Sequence, residues 1–255
     1  MKRLFCTLLL AISVQFLFAN QPYHFSHLSV KDGLSQLNVT CIYQDKLGYI
    51  WFGTRNGLNK FNGNSFEVYW NHADDPHSIS SNIINCMAED AEGNLWIGTE
   101  NGLNRLDKNK NEFKRYHINQ QENKDKNKIT SLCLDQQGTL WVGAASEGLF
   151  AYTPQGDSLK NISTKELKGN WVNDIIERDH KLYIASYNRG LLIYDLQQQA
   201  VVRSFQQNSE SLPIPSNRIR KVHIDRKGNI WLGNDTHGVY VIKHDPAEVV
   251  CYNTR

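Results

Sequence analysis

The segment GYIWFGTRNGLNKF, at residues 48–61, recurs along the chain and is the strongest indication of its fold. The other copies are GNLWIGTENGLNRL (93–106), GTLWVGAASEGLFAY (138–152), HKLYIASYNRGLLIY (180–194) and GNIWLGNDTHGVYVI (228–242). The aromatic anchors of the five copies are Trp51, Trp96, Trp141, Tyr183 and Trp231, which are 45, 45, 42 and 48 residues apart. A period near 45 residues with several strands in each unit is typical of β-propeller blades.

Each repeat is predicted to form four antiparallel strands, because turn residues divide it at regular intervals. The first strand ends at an acidic residue and a glycine follows three positions later, as at Asp45 and Gly48. Asp caps its own turn and Gly accepts a positive φ, so this spacing predicts a tight hairpin. The sequence therefore predicts an all-β propeller whose blades span residues 37–70, 82–117, 128–160, 170–205 and 217–252.

The repeated Trp and Asp residues are interpreted as structural. A Trp that recurs once per blade is the packing that joins neighbouring blades, since each blade must bury both of its faces. An acidic residue that recurs at the same turn position in each blade, Asp in four copies and Glu177 in the degenerate one, is explained by that turn, whereas a catalytic site needs such a residue only once.

The first residues are typical of a secretory signal peptide. Lys2 and Arg3 precede an apolar run from Leu4 to Phe18, and Ala19 offers a small residue for cleavage. A membrane anchor is the alternative, but the run is shorter than the roughly 20 residues that span a bilayer. We therefore expect that residues 1–19 are removed, that residues 20–255 form the mature chain, and that this chain is periplasmic.

Composition argues against a nucleic-acid-binding protein. Without Lys2 and Arg3, the 28 basic and 26 acidic side chains become 26 of each. Binding to many phosphates requires a basic face, and a mature chain without net charge does not supply one in bulk. Four cysteines lie outside the signal, Cys41, Cys86, Cys133 and Cys251, and the first three are in apolar strand patterns. They are interpreted as buried thiols, with two disulfides as the alternative.

No catalytic or metal-binding motif is recognised in the sequence. The nine His residues are scattered without the short spacing of metal ligands, and a P-loop, G-x-S-x-G and C-x-x-C are absent. We therefore expect no catalytic residues, no metal, no cofactor and no enzymatic activity of this chain. A scaffold or dimerisation module without a ligand, and a propeller lyase or glycosidase, are the alternatives.

The loops between the second and third strands are the candidate ligand site, because in a propeller they share one end of the molecule with the loops between blades. Polar and aromatic side chains in these loops suit a sugar, whose hydroxyls bind amides and charges and whose C–H face packs on a ring. The predicted rim residues are Arg55, Asn56, Glu100, Asn101, Glu147, Tyr187, Asn188, Arg189, Asp235 and His237. The alternative is that they are ordinary turn residues.

The pattern D-x-x-G-x-I-W-F-G-T-x-x-G-L-x-x-F resembles the two-component regulator propeller repeat, and the resemblance is strongest at residues 27–63. The opening is similar to the N-terminal sensor region of hybrid two-component regulators of Bacteroidetes. This resemblance implies a sensor for glycan-derived oligosaccharides that controls polysaccharide-utilisation genes. It also implies, beyond this chain, a second propeller, a β-sandwich, a transmembrane helix, a histidine kinase, a receiver and a DNA-binding region. A second copy of the chain, in a homodimer, is a further expected partner.

The same resemblance implies a propeller of seven blades, of which this chain holds five. The segment at residues 23–29 is expected to be the strand that closes the last blade of the complete ring, since closure removes unpaired edges. We therefore expect an open arc whose first and fifth blades expose apolar faces, which favours association when the chain is expressed alone.

Overall fold

The computed structural model describes residues 25–118, 127–153, 156–162, 164–210, 212–245 and 247–252. These residues form five separate antiparallel sheets of four strands each. The chain also forms a 3-10 turn at Val30–Asp32, which Ser29 caps. In the same ranges no helix is long and apolar enough to cross a membrane. The prediction of an all-β protein with five four-stranded blades is confirmed.

The strands follow one another in each sheet in the order in which they occur in the chain. Blade 1 contains β1 (Val39–Gln44), β2 (Ile50–Thr54), β3 (Gly57–Phe61) and β4 (Phe66–Tyr69). Blade 2 contains β5 (Ile84–Glu89), β6 (Leu95–Thr99), β7 (Gly102–Asp107) and β8 (Glu112–Tyr116). Blade 3 contains β9 (Ile129–Leu134), β10 (Leu140–Ala144), β11 (Gly148–Thr153) and β12 (Ser158–Asn161). Blade 4 contains β13 (Val172–Arg178), β14 (Lys181–Ser186), β15 (Leu191–Asp195) and β16 (Ala200–Phe205). Blade 5 contains β17 (Ile219–Ile224), β18 (Ile230–Asn234), β19 (Val239–Ile242) and β20 (Val249–Tyr252).

Apolar clusters between successive blades hold the arc together. There are four such clusters in the described residues, and each combines side chains from two neighbouring blades. Trp96 of blade 2 is 1% exposed and packs in one cluster with Leu140 and Tyr152 of blade 3. Trp51 is equally buried between blades 1 and 2. The interpretation of the repeated Trp as blade-to-blade packing is therefore confirmed.

The repeated Asp fixes both the first hairpin and the Trp. In blade 1, Asp45 Oδ1 accepts hydrogen bonds from the backbone N–H groups of Leu47 and Tyr49, at 3.0 Å each, and its Oδ2 accepts one from Trp51 Nε1, also at 3.0 Å. The same Trp-to-Asp bond measures 2.8, 2.9 and 3.0 Å in blades 2, 3 and 5. A structural role for the repeated Asp is therefore confirmed.

Blade 4 departs from the repeat in its hairpin and at its Trp position. Tyr183 replaces the Trp and Ala185 replaces the glycine of the W-x-G motif. The hairpin between β13 and β14 has only two residues, Asp179 and His180, with φ values of 53° and 58°. Two successive positive φ values define the tight turn that joins twisted strands, so this blade forms its hairpin without the usual glycine.

The arc is open. In blade 1, Ile42 is 63% exposed, and in blade 5 Trp231 and Tyr252 are 36% and 54% exposed. Residues 25–29, which belong to the predicted closing strand at 23–29, do not form a strand. Residues 23 and 24 and the predicted signal peptide at 1–19 lie outside the described residues.

Candidate functional site

The first strands of the five blades line the inner side of the arc, referred to below as the channel, and a cavity of about 270 Å³ occupies one end of it, the channel mouth. Residues from each of the five blades line this cavity: Thr40, Asn85, Lys128, Thr130, Trp171, Asn173, Arg220 and Lys221. Several of them lie in the loops between blades or at the adjoining start of the first strand. The mouth is therefore at the end of the channel that carries the predicted rim loops.

A series of four hydrogen bonds joins successive blades, from blade 1 to blade 5, at this mouth. In each of blades 1 to 4, a polar side chain at the start of the first strand donates to a backbone carbonyl oxygen at the start of the next blade. The donors are Thr40, Asn85, Thr130 and Asn173, and the acceptors are the carbonyl oxygens of Ile84, Ile129, Val172 and Ile219. Three of these bonds measure 2.6, 2.8 and 2.7 Å, from Thr40, Asn85 and Asn173. Each donor lies at the irregularity in its first strand, which directs its side chain toward the next blade.

An aromatic and cationic cluster lies beside the mouth between blades 4 and 5. The rings of Trp171 and Tyr187 are 5.8 Å apart and inclined at 42°. The guanidinium groups of Arg218 and Arg220 each lie 5.3 Å from the centre of the Tyr187 ring. Such contacts orient the two arginines through cation–π attraction, which does not use up their N–H donors; Arg220 Nε donates to Asp235.

Three ion pairs connect loops or strands around the same mouth. Lys128 Nζ lies 2.8 Å from Glu100 Oε1. Arg220 Nε lies 2.6 Å from Asp235 Oδ1, and Lys221 Nζ lies 3.1 Å from Asp174 Oδ1. Burial raises the pKa of Asp174, against the opposing effect of Lys221. The mouth thus combines aromatic rings, amides and charges of both signs, a composition that can bind the hydroxyls and the C–H faces of a sugar.

The structure brings only some of the predicted rim residues into this cluster. Glu100, Tyr187 and Asp235 contact residues of the mouth as described above. Asn56 and Asn101 are held in their own turns, where their backbone N–H groups donate to Thr54 and Thr99.

The remaining predicted residues occupy other parts of the loops. The backbone N–H groups of Asn188 and Arg189 donate to Ser186 Oγ. His237 Nδ1 lies 2.6 Å from Thr236 Oγ1 in the turn of blade 5. Arg55 is exposed and Glu147 is partly buried. Ligand binding by any of the ten residues stays a prediction.

Sequence reasoning missed the residues that the first strands and the loops between blades contribute. These are Thr40, Asn85, Lys128, Thr130, Trp171, Asn173, Arg218, Arg220 and Lys221. Two signals in the sequence point to them. Trp171 is a Trp outside the repeated Trp strand, and the start of the first strand carries a polar residue in the middle of an apolar pattern.

Metal coordination and thiol chemistry are the alternatives to ligand binding by these polar and aromatic groups. No group of three or more His, Cys, Asp or Glu in the described part of the chain is arranged to hold a metal ion. The four cysteines are free, which agrees with the thiol interpretation and not with the disulfide alternative, but Cys251 is exposed instead of buried. Burial raises the pKa of the Cys41 and Cys133 thiols to about 11, which makes both poor nucleophiles near neutral pH.

The repeat of this chain matches a known family model, and its fold is similar to solved structures. The family model described as two component regulator propeller matches residues 33–56, 78–101, 124–146 and 213–236. The extracellular domain of a putative hybrid two component system from B. thetaiotaomicron superposes with a TM-score of 0.74 at 28% identity, over 90% of this chain and 32% of that one. The extracellular domain of a putative one component system from the same organism gives a TM-score of 0.71 at 20% identity, over 92% of this chain and 34% of that one.

A curated protein sequence is also similar to this chain, over a shorter stretch. A histidine kinase of Formosa agariphila is 48% identical over 71 residues, which is 28% of this chain and 5% of that protein. The chain thus spans about a third of the length of the two solved structures and a small part of the kinase.

Proposed function

Because the chain carries four copies of the two component regulator propeller repeat and is homologous to the extracellular domain of a putative hybrid two component system, we propose that it is the ligand-sensing propeller of such a regulator. Its place is the periplasm, and the kinase and gene-regulatory parts belong to segments of the full-length protein outside this chain. The activity of this region is binding, not catalysis. Its expected partners are its ligand and those further domains.

The channel mouth is the proposed ligand site, and an oligosaccharide released from a glycan is its proposed ligand. The supporting observation is the convergence of Trp171 and Tyr187 with Arg218 and Arg220 beside a polar cavity of about 270 Å³. Small-molecule sites use a few well-placed polar groups together with aromatic surface in a concave region. Of the ten rim residues predicted from the sequence, Glu100, Tyr187 and Asp235 adjoin this proposed site.

A ligand at the mouth is well placed to change the geometry of the blades. The cavity is lined by residues from each of the five blades, and the series of hydrogen bonds passes from one blade to the next at the same level. A ligand that contacts several blades favours the blade arrangement in which its contacts are best. The signal is then a shift in this arrangement that the adjoining domains detect.

Calorimetric titration of the protein with a panel of plant, algal and host oligosaccharides tests this proposal. We expect at least one saturable ligand and a loss of affinity of about tenfold or more for Trp171→Ala, as for an aromatic anchor in a binding site. The matched control is Trp70→Ala, which removes a Trp that is 43% exposed and does not line the mouth. Its affinity for the ligand is expected to equal that of the wild type.

The same titrations separate the alternatives. Failure of the whole panel to bind, or equal losses in Trp171→Ala and Trp70→Ala, contradicts a sugar site at the mouth and favours a scaffold or dimerisation module. Release of shorter products from any oligosaccharide, followed by chromatography of the titrated samples, contradicts the non-enzymatic assignment.

A further inference from the structure

A second cavity lies between blades 4 and 5, toward the end of the molecule opposite the channel mouth. Its volume is about 290 Å³. Lys181 at the start of β14, Gly228 in the first hairpin of blade 5, and Ile242 at the end of β19 contribute to its walls. These positions lie at the end of each blade that carries the first hairpin, away from the rim loops.

The cavity occurs where blade 4 departs from the repeat. In blade 1, Trp51 fills the corresponding space, is 1% exposed, and is covered by Lys60, whose Nζ is 5.7 Å from the indole centre. In blade 2, Trp96 and Arg105 form the same arrangement at 5.6 Å. Blade 4 has Tyr183 instead of the Trp, and Ile193 pairs with it where the basic residue stands in blades 1 and 2. Both replacements are smaller, so the space between blades 4 and 5 is incompletely filled.

The lining has an apolar floor and a basic edge. Ile193, Phe205, Leu212, Ile230 and Ile242 form the floor, and Lys181, Arg203, Lys243 and His244 lie at the edge. The Arg203 guanidinium is 4.5 Å from the centre of the Phe205 ring, which holds it over the apolar part of the cavity. None of the described lining residues is acidic.

The charges at this edge are only partly compensated. Lys243 forms an ion pair with Glu248, which does not line the cavity. Within the described residues, Lys181 and Arg203 take part in no ion pair. An anion at the edge therefore gains charge-assisted hydrogen bonds without displacing an existing carboxylate.

We propose that this cavity is a binding site for a small organic anion with an apolar body, such as an aromatic carboxylate. The apolar body replaces the missing indole between the blades, and the carboxylate meets Arg203 and Lys181 at the edge. The cavity volume is close to the lower end for ligand pockets, roughly 300 Å³, which limits the ligand to one or two rings. This site is independent of the proposed sugar site at the channel mouth.

The proposal is tested by titrating the protein with naphthalene-2-carboxylate and with its neutral analogue, naphthalene-2-carboxamide, in a calorimeter. The carboxylate is expected to bind saturably and at least about fivefold more tightly than the amide, because only the carboxylate pairs with the basic edge. Tyr183→Trp fills the space with a side chain of the protein itself. This variant is expected to bind the carboxylate about tenfold or more less tightly, while its melting temperature is unchanged or raised.

Two further variants keep the test decisive if Tyr183→Trp does not fold. Arg203→Gln changes an exposed side chain and is expected to reduce the preference for the carboxylate over the amide. Lys227→Gln is the matched control, since Lys227 is an exposed base in the first hairpin of blade 5 that does not line the cavity, and its affinity is expected to be unchanged. Absence of saturable binding, equal affinity for the two compounds, or equal effects of Arg203→Gln and Lys227→Gln overturns the proposal. Trp171→Ala is expected to leave this binding unchanged, so a failure here is distinct from a failure of the sugar site.

Discussion

Asp135 illustrates how one residue type supports the whole repeat. Its Oδ1 accepts hydrogen bonds from the backbone N–H groups of Gln137 and Thr139, both at 2.9 Å, and its Oδ2 accepts one from Trp141 Nε1 at 2.9 Å. The hairpin and the Trp that packs against the next blade are therefore fixed by a single carboxylate. In blade 1 burial acts to raise the pKa of the equivalent Asp45, but the hydrogen bonds from Trp51 and Lys108 outweigh it and the pKa is lowered.

We predict that Asp135→Ala lowers the free energy of unfolding by about 2 kcal/mol. The substitution leaves the buried Trp141 N–H and two hairpin amides without their acceptor, and each unsatisfied buried donor is costly. Gln136→Ala, at the adjacent exposed position of the hairpin, is the control and is expected to change stability by less than about 0.5 kcal/mol. Urea denaturation of both variants measures the difference, and similar midpoints contradict this structural role of Asp135.

The pKa of Asp157 predicts how the stability of the folded protein depends on pH. A hydrogen bond from Lys114, followed by one from Tyr116, lowers its pKa from 3.8 to about 2. Because the pKa is lower in the folded state, the stability that this carboxylate contributes is fully present above about pH 3.8 and is lost as the pH falls through about 2. In Asp157→Asn, the fall in melting temperature between about pH 4 and about pH 2 is expected to be shallower than in the wild type.

The control for this pH series is Asp179→Asn. Asp157 and Asp179 both adopt a left-handed backbone, with φ of 42° and 53°, and Asn tolerates that conformation. The Asp179 side chain is 83% exposed, and we expect the pH dependence of its variant to match that of the wild type. Identical pH profiles for all three proteins contradict the role of Asp157.

The strands of successive blades approach most closely at the glycine of the W-x-G motif. A Cβ atom built on Gly98 lies 2.4 Å from Cys86 Sγ and 2.6 Å from Ile129 Cγ2, an atom of the next blade. Gly53 and Gly143 have equivalent contacts at 2.7 Å or less with the following blade. The glycine is therefore required by the contact between blades, and the first strand of the next blade occupies the space that a side chain would need.

We predict opposite outcomes for the same substitution in two blades. Gly98→Ala is expected to destabilise the protein by roughly 1–3 kcal/mol, because the added methyl overpacks the contact with Ile129. In blade 5, the Cβ atom of Gly233→Ala meets nothing closer than Lys221 Cβ at 3.6 Å, so that variant is expected to be neutral or slightly stabilised. Thermal melts compare the two, and equal destabilisation indicates a strand propensity effect instead of blade packing.

The whole molecule is an arc of five blades joined by four apolar clusters and by the series of hydrogen bonds at the channel mouth. Its two outer faces differ from the interfaces within it, since Ile42 on blade 1 and Trp231 on blade 5 are exposed. The other Trp residues of the repeat, Trp51, Trp96 and Trp141, are at most 7% exposed. The outer faces therefore carry apolar residues of the kind that elsewhere pack between blades.

We predict that the chain as expressed alone associates through these faces. Sedimentation velocity is expected to show a concentration-dependent mixture of species, and Ile42→Glu together with Trp231→Glu is expected to raise the fraction of monomer. Leu47→Glu is the control, because Leu47 is 74% exposed in the first hairpin, away from both outer faces. A monodisperse wild-type monomer, or an equal effect of the control, contradicts the prediction.

The repeat made most of the fold predictable from the sequence. The Trp strand, the D-x-x-G turn and the period near 45 residues are local features, and each is set by the conformational preferences of a few adjacent residues. The structural roles of Asp45 and Trp51 follow from the same logic, because a residue that recurs in every blade serves what every blade needs. For the same reason the rim loops were recognised as loops.

The candidate sites depend instead on contacts between residues that are distant in the chain. Trp171 lies against Tyr187 because β13 and β14 of blade 4 pair, and Tyr187 lies against Arg220 only because blades 4 and 5 pack side by side. The cavity between these blades likewise results from Tyr183 and Ile193 on one blade facing Ile230 on the next. A repeat pattern reports what the blades share, whereas binding sites form where blades differ, and those differences acquire a position in space only when the blades pack.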